Sequence, residues 1–127
     1  MNISNEKTKL LNARLRFSQT LKSQMAKIKV NTGIENWNTL CRWALCYSLS
    51  LDNEPPEQKF QNDSNLEIAW QVIAGDNSEP LTDLILSRYD NLPSQTNIAL
   101  DNYVKCHIAR GLNLASKSIK EGHFVFR

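Results

Sequence analysis

NARLRFSQTLKSQMAKIKVNTGIENWNTLCRWALCYSLSL, residues 12–51, is the stretch that decides the fold of this 127-residue chain. In Asn12-Ala13-Arg14-Leu15-Arg16-Phe17 the side chains alternate, with Ala13, Leu15 and Phe17 on one side of an extended strand and Asn12, Arg14 and Arg16 on the other. One face suits a core and the other suits phosphate or base edges. Ser18 fits the N-cap of a following helix, on which Leu21, Met25 and Ile28 form one buried stripe while Lys22 and Lys29 share a different face. Gly33 supplies a left-handed stop and Asn36 a second cap, so a second helix is predicted from about Trp37 to Leu51. Pro55 and Pro56 end the unit.

Strand, helix, helix is the layout of a ribbon-helix-helix DNA binder. The formal net charge of +2 hides a strong division. Residues 1–42 hold eight Lys or Arg against two acids, residues 43–101 two against ten, and residues 102–127 five against one. Basic ends around an acidic middle point to a polyanion-binding surface plus a face for a basic partner or a neighbouring subunit. Within the first basic block, Arg14, Arg16, Lys22, Lys27, Lys29 and Arg42 are the candidate DNA-binding residues.

The chain is long enough for one domain with a real core and short for two. The reading is a mainly α (α+β) fold: a single domain over 1–127, with a ribbon-helix-helix-like unit at 12–51, an acidic proline-containing loop at 52–65 and the remaining core elements at 66–120. On the second helix, Trp37, Leu40, Cys41, Trp43, Ala44, Leu45, Tyr47 and Leu49 cover most of the circumference. A helix apolar nearly all round needs cover on several sides, which predicts an oligomer with Trp37, Leu40, Trp43 and Tyr47 in its core.

Residues 66–74 fit two periods. Leu66, Ile68, Trp70, Val72 and Ala74 alternate like a strand, whereas Leu66, Ala69, Trp70 and Ile73 fit a helix and Ser64 to Glu67 matches a capping box. The β-branched and aromatic content with the stop at Gly75 favours strand. Ser78 is then a cap for a helix carrying Leu81, Leu84, Ile85 and Tyr89 that ends before Pro93. A last helix is predicted over about Gln95 to Lys120, with a stripe from Leu100 to Ile119 and a Gly111 that marks close approach of another backbone.

Chemistry is sparse. Cys41, Cys46 and Cys106 have no metal-ligand spacing and read as reduced thiols in a core, and Cys106 and His107 diverge on a helix rather than facing each other. His107 reads as structural, or as a phosphate contact beside Arg110. No phosphate-binding glycine loop or paired catalytic carboxylates stand out, so neither an enzyme nor a cofactor is expected. No apolar run reaches about 18 residues and the opening Met1 to Lys7 is polar, which predicts a cytoplasmic protein without a membrane partner.

Thr32-Gly33-Ile34, the run from Trp37 to Cys46, Asp63 to Glu67 with Trp70, and His107 to Gly111 together resemble the DndE family of DNA phosphorothioate modification. The likeness spans about residues 14 to 115. It implies a homotetrameric protein that binds nicked double-stranded DNA, and the sparse chemistry of the residues makes that protein non-catalytic. The implied partners are a cysteine desulfurase, an ATP-using sulfurtransferase-like subunit and an SMC-like ATPase, which together replace a non-bridging phosphate oxygen with sulfur. Two rivals stand beside it. A ribbon-helix-helix regulator or antitoxin would discriminate strongly between operator sequences. A nickase using His107 or a cysteine would turn over DNA unaided.

Overall fold

The computed structural model describes residues 3–120, apart from the side chains of residues 3, 4 and 77. Helix α1 covers Ile3–Leu11, strand β1 Arg14–Arg16, α2 Gln19–Thr32 and α3 Trp37–Leu49. Strand β2, Glu67–Ala69, runs directly into the short helix α4, Trp70–Ala74, and a 3-10 turn at Gly75–Asn77 leads into α5, Ser78–Asp90. The long α6 spans Leu100–Lys120. The fold is mainly helical α+β, as expected, around one contiguous buried cluster.

The strand, helix, helix order is present, and the first helix is delimited as its residues suggest. The Ser18 side chain accepts the Leu21 amide at 3.2 Å, and Gly33, at φ 78°, closes the other end by donating its N–H to the Lys29 carbonyl. Leu21, Met25 and Ile28 are buried. Asn36 occupies the extended cap position of α3 without a capping side-chain hydrogen bond.

Strand β1 pairs antiparallel with β2 of the same chain, Leu15 opposite Ile68, and no other strand joins this sheet among the described residues. Residues 66–74 therefore divide between the two periods. The ladder ends where its partner does: α1 stops at Leu11, and the Trp70 amide makes the last cross-link, to the Ala13 carbonyl at 2.9 Å. Continuing as a strand would have placed Val72 on the inner face with Ile68 and Trp70. As a helix the segment buries Trp70, Ile73 and Ala74, and Val72 faces outward, half exposed. Trp70 is wholly buried, and its indole N–H donates to Thr82 Oγ1 at 2.8 Å.

Three further differences have local causes. Helix α1 was not anticipated, because its apolar side is little more than Leu10 and Leu11; Lys7 secures it to α5 by ion pairs to Glu79 and Asp83 at 2.7 and 3.0 Å. Ser78 is the first residue of α5 rather than its cap, since the 3-10 turn already carries the chain into it. Helix α6 begins at Leu100, not Gln95, after a turn in which the Thr96 amide bonds the Pro93 carbonyl.

Helices α3 and α6 form the centre of the packing. A Cβ on Gly111 would lie 2.0 Å from the Ala44 carbonyl oxygen, so hydrogen is the only side chain that allows this crossing. The buried side of α3 is Leu40, Cys41, Ala44, Leu45, Ser48 and Leu49. Leu40 is thus part of the chain's own core. Trp37 and Trp43 are half-buried and Tyr47 exposed on the outer side, where the Trp43 and Tyr47 rings stack 5.4 Å apart.

Candidate nucleic-acid interface

The six basic residues singled out by the sequence divide by what their side chains hold. Arg14 Nε donates to Glu67 Oε1 at 2.6 Å, and Arg16 donates to Glu67 Oε2 at 3.0 Å and to the Ser64 carbonyl at 3.1 Å. The hydrogen bond from Arg14 is the main cause that holds the Glu67 carboxyl below the usual carboxylate range. These two arginines and one carboxylate form an exposed trio of charge +1 on the outer face of the β ribbon. Arg42 belongs to the fold. Its guanidinium donates to the Ile73 and Val72 carbonyls at 2.6 and 3.3 Å, closing the carbonyl end of α4, and sits where a Cβ on Gly75 would fall.

Helix α2 has no acidic residue. Lys22 and Lys29, seven residues apart, share an edge; Lys22 Nζ meets Asn65 Oδ1 at 2.7 Å, and Lys29 Nζ lies 4.0 Å over the Trp37 ring. Neither contact cancels a charge. Lys27 is exposed on the other side of the helix, where it faces the last turn of α6. There Lys117 and Lys120, not among the candidates from the sequence, line with it a groove of about 840 Å³ between α2 and α6. The signal available was the basic count of residues 102–127; only the fold brings its lysines beside α2.

His107, the first candidate for catalysis, lies inside. His107 and Ser48 are fully buried, and Ser48 Oγ is 2.8 Å from His107 Nδ1. Arg110 Nε donates to the same Ser48 Oγ at 2.8 Å, and His107 Nε2 lies 3.5 Å from Glu54 Oε1 without a hydrogen-bond partner. Burial drives the His107 pKa down to about 4, leaving a neutral ring at neutral pH. Burial alone would raise the Glu54 carboxyl, but hydrogen bonds from Tyr103, at 2.5 Å, and Arg88, at 3.1 Å, outweigh it and hold Glu54 charged. Arg110 and Arg88 also bond the Ser48, Leu49 and Leu51 carbonyls. The cluster ties the acidic loop to α6. His107 is therefore no surface phosphate contact.

The thiols are equally unprepared for nucleophilic work. Burial pushes Cys41 up to about 12, and also raises Cys46 and Cys106. Cys46 lies exposed on the outer side of α3, contrary to the core placement expected of it, because it follows Ala44 and Leu45 around the helix. No group of three or more metal-ligating side chains occurs among the described residues, and no helix there is long and apolar enough to cross a membrane.

This small α+β scaffold, with lysines on its α2 surface and His107 enclosed, has known counterparts. A family model described as DNA sulphur modification protein DndE matches residues 14–122, which makes the chain a component of DNA phosphorothioation. The chain belongs to the DndE family. The crystal structure of DndE from Escherichia coli B7A, involved in DNA phosphorothioation modification, has a similar fold. Its TM-score is 0.67 at 21% identity, over 82% of this chain and 96% of that one. No curated protein sequence matched.

Proposed function

We propose that this chain is a non-catalytic DNA-binding subunit of the phosphorothioation machinery, which holds nicked double-stranded DNA by its backbone phosphates. The observation that carries the reading is α2, a 14-residue surface helix with Lys22, Lys27 and Lys29 and no acid. Such a surface binds phosphate without reading bases. Burial of Ser48 and His107 and the raised thiol pKa values support the non-catalytic part. The membership of the family supports work alongside a cysteine desulfurase, a sulfurtransferase-like subunit and an SMC-like ATPase in the cytoplasm. The outer side of α3, with Trp37, Trp43 and Tyr47, is the proposed contact in a single-domain homotetramer.

A ribbon-helix-helix regulator is less well supported, because β1 uses its pairing on β2 within the chain. Mobility-shift titrations on intact and nicked duplexes of several sequences test the choice. Nicked DNA should bind more tightly in every sequence; strong preference for one intact sequence would refute the proposal. Light scattering at micromolar concentration should give a mass near four times 14.5 kDa, and a monomer mass would remove the α3 contact.

A further inference from the structure

We infer that the groove between α2 and α6 seats the sugar-phosphate backbone of a single DNA strand, the one released at a nick, rather than the side of an intact duplex. The inference rests on the DNA-binding reading above and assigns it a second surface, distinct from the Lys22 and Lys29 edge.

Two polar stripes face each other. On α2, Thr20, Gln24, Lys27 and Asn31 recur at helical spacing, and on α6 Asn113, Ser116, Lys117 and Lys120 do the same. Gln24 fixes the separation of the walls through bonds from Nε2 to Asn113 Oδ1 at 2.8 Å and Ser116 Oγ at 3.2 Å. Ile28 and Ile119 supply the apolar part of the lining.

The lining has a definite chemistry. Among the described residues it contains three lysines, several amides and hydroxyls, and neither an acid nor an aromatic ring. Amides and hydroxyls beside cations are phosphate and sugar ligands. Among the described residues no ring offers a stacking platform, so they would hold a strand by its backbone in any sequence. The helix macrodipole favours lysines in the last turn of α6, but it gives no reason for Lys27 opposite them or for the lack of any acid.

Dimensions select the strand over the duplex. Packed helices lie about 8–10 Å apart axis to axis, so the valley between them admits one extended strand, whereas a duplex rides on the ridges. From Thr20 to Asn31 the wall runs about 16 Å, roughly the axial rise of four to five nucleotides in a stacked strand and fewer in an extended one. An intact duplex offers no free strand. A nick does.

Fluorescence anisotropy with three labelled probes of one sequence tests this: intact duplex, the same duplex with a nick and a short unpaired strand beside it, and single-stranded oligonucleotide. The variant Lys27→Gln/Lys117→Gln/Lys120→Gln alters exposed side chains only, and circular dichroism verifies its fold. It should lose at least tenfold in affinity for the nicked and single-stranded probes and less than threefold for the intact duplex. The slope of log K against log salt on the single strand should flatten by about 2, at roughly 0.7 per phosphate contact. Lys9→Gln, on α1 away from the groove, should change none of these values. Equal loss on all three probes, or no loss, overturns the groove while the DNA-binding reading stands. Failure of the unaltered protein to bind any probe overturns both.

Discussion

The arginines at the centre of the molecule and the lysines at its surface carry the same charge to opposite ends. Arg42, Arg88 and Arg110 each turn a guanidinium inward onto main-chain carbonyls, at the end of α4, after α3 and at Ser48. Lys22, Lys27 and Lys29 extend from α2 without an acidic partner among the described residues. A planar fork of several donors satisfies fixed carbonyls that a single ammonium cannot, and an ammonium on a flexible stem suits phosphates whose positions vary. Counting basic residues therefore overstates a DNA surface unless the fold shows which of them are already engaged.

The sharpest break in that comparison is Arg110→Met. The Ser48 hydroxyl and carbonyl and the Asn53 side chain would each lose a charged donor, at a combined cost of about 2–4 kcal/mol of folding free energy. Urea unfolding should show this loss, while the DNA affinity of the remaining folded protein should stay within twofold. A tenfold drop in affinity with stability intact would move Arg110 to the surface group.

The same core should make the protein acid-labile. The folded His107 pKa, about 4, lies below its 6.5 in an open chain, so between those values the unfolded state takes up a proton that the folded state refuses. Stability is full above pH 6.5 and falls as pH drops toward 4. Glu54, held below its ordinary value, adds to the loss further down. Thermal melts from pH 7 to 4 should show this slope, and His107→Gln should flatten it between 6.5 and 4. An unchanged slope in that variant would assign the acid lability to carboxylates alone.

What the sequence made legible follows the range of the interaction. Ser18, Gly33, the stripe Leu21, Met25 and Ile28, and the close crossing at Gly111 all came from local spacing and were found in place. The basic character of α2 was equally visible. The fate of Arg14 and Arg16 was not, because Glu67 reaches them only after β2 pairs with β1, 51 to 53 residues along the chain. Lys117 and Lys120 escaped for the same reason: α6 meets α2 only in the folded molecule. Trp70 closing the strand also depends on where β1 begins.

The reverse of Arg110→Met is Lys22→Glu/Lys29→Glu on the partly exposed edge of α2. Folding stability should stay within about 0.5 kcal/mol. Affinity for every duplex should fall at least tenfold, about 1.4 kcal/mol, and the logarithmic salt slope should lose about 2. Loss confined to one sequence would mean that this edge reads bases.

Between the two groups stand Arg14 and Arg16, exposed like Lys27 but partnered like the arginines. Glu67 gives each an oxygen, at 2.6 and 3.0 Å, much as a phosphate would. If the ribbon is part of the DNA surface, that carboxylate competes with DNA for both guanidiniums, and Glu67→Gln should raise affinity about threefold and steepen the salt slope by about 1. If instead the trio only staples β1 to β2, affinity will not change and the effect will be confined to the melting temperature. Titrating the variant at two salt concentrations beside a thermal melt separates the cases, and gain of affinity with a steeper slope would move these arginines to the side of the lysines.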